Sequence, residues 1–194
     1  MIIPSYRADA AAALLALAGA AAAATPDPAG VEVARSLAGT LVQQLGVRLQ
    51  AAVSEGGAPG AIDVCTIAAP AVAGTLSRRN GVKVARVSLR ARNPLLGTPD
   101  AWEQSVLLDF ERRLAAGEPV AQIEFAEVVR EPAGEFLRYM KALPVQPLCL
   151  GCHGPAEGIA LPVRARLAAE YPSDQATGYR VGQIRGAISV KQPR

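Results

Sequence analysis

The sequence predicts an α+β fold, because helical periodicity fills its first half and strand-like alternation its second. Leu37, Leu41, Leu45, Leu49 and Val53 recur every fourth residue, which marks one face of a helix. Gln122–Arg130 and Phe136–Leu143 alternate instead and are separated by Glu131-Pro132-Ala133-Gly134, so they read as a hairpin. Few β-α-β signals appear, which argues against a parallel sheet.

Taken in order, the Leu37–Val53 pattern implies a helix of about 24 residues, ended by Gly56-Gly57. Pro59 begins a second helix with Ile62, Cys65, Ala69, Val72 and Leu76 on one face, stopping at Asn80-Gly81. Val82–Leu89 is a strand by its valine alternation, and Arg92-Asn93-Pro94 opens a loop through Pro99. Asp100 caps a helix carrying Trp102, Val106, Leu107, Phe110 and Leu114, which ends at Gly117. After the hairpin come a short helix, Pro162–Glu170, and a last strand within Gly178–Val190.

The chain of 194 residues suffices for one domain plus a tail. Half of it is hydrophobic, at 51%, but aromatics make up only 4%, so the core is expected to rest on Leu, Ile, Val and Ala. The net charge of +3 is spread without a dense basic run, which argues against a nucleic-acid partner.

Residues 1–24 read as an export signal: Arg7 supplies the positive region, Ala10–Ala24 is apolar, and Thr25-Pro26-Asp27-Pro28 breaks it. Asp9 is atypical of a signal, and the rival readings are an uncleaved anchor or an ordinary alanine-rich helix. The run is shorter than the roughly 20 residues of a membrane span, and no other stretch is expected to cross a bilayer. The domain plan is thus a signal over 1–24, a linker over 25–30 and a domain over 31–194, in a periplasmic or secreted protein.

The chemistry concentrates in Cys149-Leu150-Gly151-Cys152-His153, the C-x-x-C-H pattern of c-type haem attachment. Thiols three positions apart reach the two vinyl groups on one porphyrin edge, and the following His ligates the iron from below. Gly151 lacks the Cβ that would crowd the ring edge. A structural zinc site wants four ligands, whereas this chain has a single His and one spare Cys. A thioredoxin-like dithiol does not need the trailing His. Attachment to paired cysteines takes place after export, which agrees with the amino terminus. The implied cofactor is one covalent heme c with its iron.

The residues leave the sixth iron position open. Cys65, on the apolar face of the second helix, is either a buried inert thiol or a ligand. Met140 is either a core filler or a ligand. An open site or another donor is the third option. A thiolate lowers the potential and a thioether raises it.

Beyond the haem box, several motifs occur in order: Ala61-Ile62-Asp63-Val64-Cys65, Ser88–Pro94, Pro99-Asp100-Ala101-Trp102-Glu103, Tyr171-Pro172, Asp174–Tyr179 and Arg185–Val190. With Cys149–Gly154 they resemble the monohaem c-type domain family with a PAS-like fold, long listed as a domain of unknown function in cyanobacteria and proteobacteria. The resemblance spans about Val31 to Val190. It implies a PAS-like antiparallel sheet flanked by helices, with a long N-terminal helix. It also implies a His/Cys axial pair, with Cys65 in the matching position, and puts Arg92 and Asn93 near the pocket, on a propionate. For Asn93 a turn built by Asn-Pro is the rival reading, and Trp102 is expected in the core.

Relatives of this family carry the domain ahead of kinase or chemoreceptor modules, which implies redox or small-ligand sensing. No such module follows Val190, so a signal is expected to reach a separate partner protein. A single-electron carrier is the alternative. A haem peroxidase ranks last, since no second His is present and only Glu103 or Glu124 could supply a distal acid. An enzyme is not expected, and the long first helix suggests a homodimer.

Overall fold

The computed structural model describes residues 24–194, and the signal reading over 1–24 lies outside them except for Ala24. Asp27 caps the first helix by accepting the Gly30 N–H at 3.1 Å, so α1 (Pro28–Asp63) begins inside the expected linker. Proline at its first position suits a helix start, where no N–H is needed. The helix is broken where glycines were expected to end it. Gly57 has φ 65° and ψ −171°, and Pro59 restarts the chain in the second segment.

Cys65 then falls in a π-helical turn, Val64–Ala68, which periodicity alone did not reveal. Its cause is local. Pro70 has no N–H to give the carbonyl of Thr66, so the bonding register widens and the Ala69 N–H reaches Val64 O instead. The chain resumes as α2 (Ala69–Asn80), and Gly81 at φ 64° ends it as expected.

The remaining elements are β1 (Lys83–Val87), a short α3 (Pro94–Gly97), α4 (Ala101–Ala115), β2 (Glu124–Glu131), β3 (Gly134–Pro144), α5 (Leu150–His153), α6 (Leu161–Glu170) and β4 (Ile184–Pro193). Asp100 caps α4 as expected, and Glu103 adds the reciprocal bond of a capping box. The last strand is shifted from its expected place. Gly178 N–H bonds to Gly154 O and Tyr179 N–H to His153 O, while Gly182 and Gln183 exchange bonds with Val145, so pairing starts only at Ile184.

The four strands form one antiparallel sheet in the order β1-β4-β3-β2, with the expected hairpin between β2 and β3. One face carries Val84, Tyr139, Ile188 and Val190 against Ala34, Leu37, Leu41 and Val72 of the first two helices. The other carries Met140, Ala142 and Ala187 against Val106, Leu107 and Phe110 of α4. Gly186 is obligatory where β4 meets β1, since a Cβ there would lie 2.3 Å from Val87 O.

The helical run Pro28–Asn80 is long and apolar enough to cross a membrane, with an 18-residue window of mean hydropathy 1.4. This corrects the expectation that no stretch beyond the amino terminus qualifies. Alanine raises the average, while Ala34, Leu37, Ala38 and Leu41 of the same run are buried on the sheet.

Candidate functional site

The haem-box cysteines lie on a tight turn. Pro147–Cys149 is a single 3-10 turn, and α5 continues it through His153, so Cys149, Cys152 and His153 share one compact hook. Cys149 packs beside Val145, Ala176 and Tyr179. Cys152 packs on the other flank, against Ile62 and Tyr171. Burial pushes the Cys152 thiol up, with the Arg92 charge opposing it.

His153 Nδ1 lies 2.7 Å from the carbonyl oxygen of Ala176. A carbonyl only accepts, so Nδ1 carries the proton and Nε2 keeps its lone pair. Burial, then the Arg185 and Arg92 charges, holds the imidazole well below its usual range, so it is neutral. That is the state a metal requires.

A cavity of about 450 Å³ opens between the edge strand β1, the π-helical turn and this hook. His153 and Cys65 both line it, although 87 residues separate them along the chain (positions 66–152). Its walls include Ala69, Ala73, Gly74, Ala85, Ala91 and Gly97, small residues that leave flat space. Volumes of this order suit a cofactor-sized ligand. The four cationic side chains at its wall are Lys83, Arg86, Arg92 and Arg185, against one carboxylate, that of Glu103.

Arg92 lines the cavity but has its own partners. Its Nε pairs with Asp174 Oδ2 at 3.0 Å, and Nη2 donates to Cys152 O and to Ala176 O. It therefore ties the hook to the loop that orients His153. Asn93 also lines the cavity, and its side chain accepts the Leu95 N–H at 3.1 Å to cap α3, the turn role weighed for it.

Other candidates lie elsewhere. Met140 is fully buried in the α4-side core beside Phe110. Trp102 packs on that core too, its Nε1–H donating to Glu127 at 2.8 Å. Glu103 reaches the cavity wall, but its oxygens already accept from Ser189 Oγ at 2.7 Å and Asp100 N at 2.9 Å. Glu124 is engaged by Arg35 and Tyr139 at the opposite edge of the sheet.

Sequence reading assigned no role to Ala176, Asp174 or Arg185. Asp174 Oδ1 accepts the Ala176 N–H at 2.7 Å, an Asx turn that presents the neighbouring carbonyl to His153. The only signals were the motif runs Asp174–Tyr179 and Arg185–Val190. A carbonyl acceptor has no side-chain signature, which is why it was not found.

Fold and cavity together define a PAS-like α+β domain with a cavity beside its edge strand. Residues 11–193 match the Tll0287-like family model, and the chain belongs to that family, as its motifs implied. The crystal structure of the cyanobacterial heme-protein Tll0287 is similar to it with a TM-score of 0.67 at 24% identity, covering 87% of this chain and 98% of that one. No curated protein matches.

Proposed function

We propose that this chain is an exported c-type haem protein that acts as a redox or small-ligand sensor. Cys149 and Cys152 would carry the thioethers, and His153 Nε2 and the Cys65 thiolate would hold the iron. The carrying observation is that Cys65 and a neutral His153, protonated on Nδ1 and not on Nε2, line one cavity of about 450 Å³. The residues fit a haem: the walls are small, and the exposed Arg86 in the lining has no side-chain hydrogen-bond or ion-pair partner among the described residues, leaving it for a propionate. A haem bound there supplies one-electron chemistry and, when a ligand leaves, a site for a diatomic molecule.

The chain's own residues do the rest. Ala176 O fixes the ring plane and tautomer of His153, and Arg92 with Asp174 holds that carbonyl in place. The π-helical turn favours sensing over simple electron carriage. π turns are sparse, recur at functional sites and have weaker bonding than an α-helix, so Cys65 sits on a segment able to change register. A signal would then travel through α2 to a separate partner protein. Glu103 and Glu124 both have partners, which supports a non-enzymatic role over a peroxidase.

The test is electron paramagnetic resonance of the ferric holoprotein beside Cys65→Ser, with carbon monoxide added to the ferrous forms. A low-spin thiolate signal lost in the variant, with carbon monoxide taken up by the reduced wild type, supports the sensor. A spectrum unchanged by the substitution removes Cys65 from the iron. A reduced protein inert to carbon monoxide, with rapid electron exchange, selects the single-electron carrier.

A further inference from the structure

Arg185 lies over the face of His153 with Nε 3.2 Å from Nδ1 and 3.5 Å from Nε2. Nδ1 already gives its proton to Ala176 O at 2.7 Å, so it cannot also accept from the guanidinium. Nε2 is then the ring nitrogen able to accept from Arg185, at 3.5 Å, and the guanidinium is a cation held against a neutral ring. Arg185 is pinned there: Nη1 donates to Ser88 Oγ at 2.9 Å and to Arg90 O at 3.3 Å, and its guanidinium lies 5.4 Å from the Tyr179 ring centre. Unlike Arg92, whose charge meets Asp174, Arg185 has no ion-pair partner among the described residues.

We infer that Arg185 is a positioning residue that sets the redox potential of the proposed haem site through His153. This rests on the haem reading above and deepens it. The Ala176 carbonyl draws the Nδ1 proton and makes the ring a stronger donor, which favours ferric iron, as a thiolate at Cys65 does also. The uncompensated Arg185 charge opposes both: a cation held against the ligand disfavours the more positive iron and lifts the potential. One electron enters the iron on reduction and no bond at Arg185 forms or breaks.

The experiment is spectroelectrochemical titration of the purified holoprotein and of Arg185→Gln, Arg185→Lys and Ser88→Ala. Arg185→Gln is expected to shift the reduction equilibrium toward ferric iron about tenfold, about 59 mV for a one-electron couple. Arg185→Lys keeps the charge and restores most of the wild-type value. Ser88→Ala loosens the pin and moves the potential the same way by less, which keeps the inference open to test should Arg185→Gln not fold. Variants that all keep the wild-type potential overturn the inference, and so does a lysine variant that behaves as the glutamine one, since packing alone would then explain the shift. A haem-loaded wild type with such variants removes the role of Arg185 only. A wild-type chain that takes up no covalent haem, by pyridine haemochrome assay, removes the haem reading and this inference with it.

Discussion

The His153 imidazole donates from Nδ1 to the backbone carbonyl of Ala176 at 2.7 Å, so the only histidine of the chain is oriented by an atom that no side-chain substitution removes. Its control point is one peptide away. Asp174 accepts the Ala176 N–H at 2.7 Å and pairs with Arg92 at 3.0 Å.

Asp174→Asn keeps the shape and removes the charge. Arg92 then stays buried, at 8% exposure, without its counter-ion. Breaking one side of such a pair costs about 3 kcal/mol. Urea denaturation should show that loss, and the ferric spectrum should broaden as the His153 ring loosens. A variant as stable as the wild type would mean that the two carbonyls facing Arg92 suffice.

Pro70→Ala restores the N–H that the helix lacks at that position. The Val64–Ala68 turn can then close in α register, which rotates Cys65 relative to the cavity. The expected result is a weaker thiolate signature in the ferric holoprotein, with helix content unchanged or slightly raised by circular dichroism. A signature identical to the wild type would show that the proline does not set the Cys65 position.

Met140→Leu separates the two thioether readings. Met140 is 0% exposed in the core against Phe110, and not in the cavity wall. Leucine has nearly the same volume, so the expected cost is less than about 1.5 kcal/mol. The visible spectrum and potential should not move. A spectral change would return Met140 to the list of ligands.

Glu124 governs acid sensitivity at the far edge of the sheet. Hydrogen bonding from Arg35, and then from Tyr139, holds its carboxyl down at about 2 against burial that acts the other way. A folded value below the unfolded one means that its contribution is complete above about pH 4.5 and is lost as pH falls through about 2. Arg35 is largely solvated, so screening keeps the effect modest. Glu124→Gln should lower Tm by about 2–4 °C at pH 7 and by almost nothing at pH 2. Thermal melts at pH 7, 4 and 2 check it, and a constant difference across that range would assign the effect to packing.

Helix ends were legible wherever a single residue decides the backbone. Gly57 and Gly81 each take a positive φ, and Asp100 with Glu103 closes a capping box, all within one turn of sequence. The hairpin at Glu131–Gly134 followed from turn residues between alternating runs. The last strand starts later than expected because its start depends on where residues 178–183 find partners, and those include Val145, His153 and Gly154. The π-helical turn escaped because apolar periodicity tracks faces, whereas the missing N–H of Pro70 acts on hydrogen-bond register.

The proposal for Cys149, Cys152 and His153 comes from the chain alone, because three neighbouring residues set their own spacing. Cys65, Met140 and an open position all stayed possible from the residues themselves, with Cys65 ahead of Met140, and the family's motifs favoured Cys65 further. Tertiary structure puts Met140 in the α4 core and brings Cys65 and His153 to one cavity beside the edge strand β1. Such a meeting depends on packing between elements far apart in sequence, as does the carbonyl of Ala176 that turns the His153 ring. Neither a backbone acceptor nor a shared cavity has a residue code of its own.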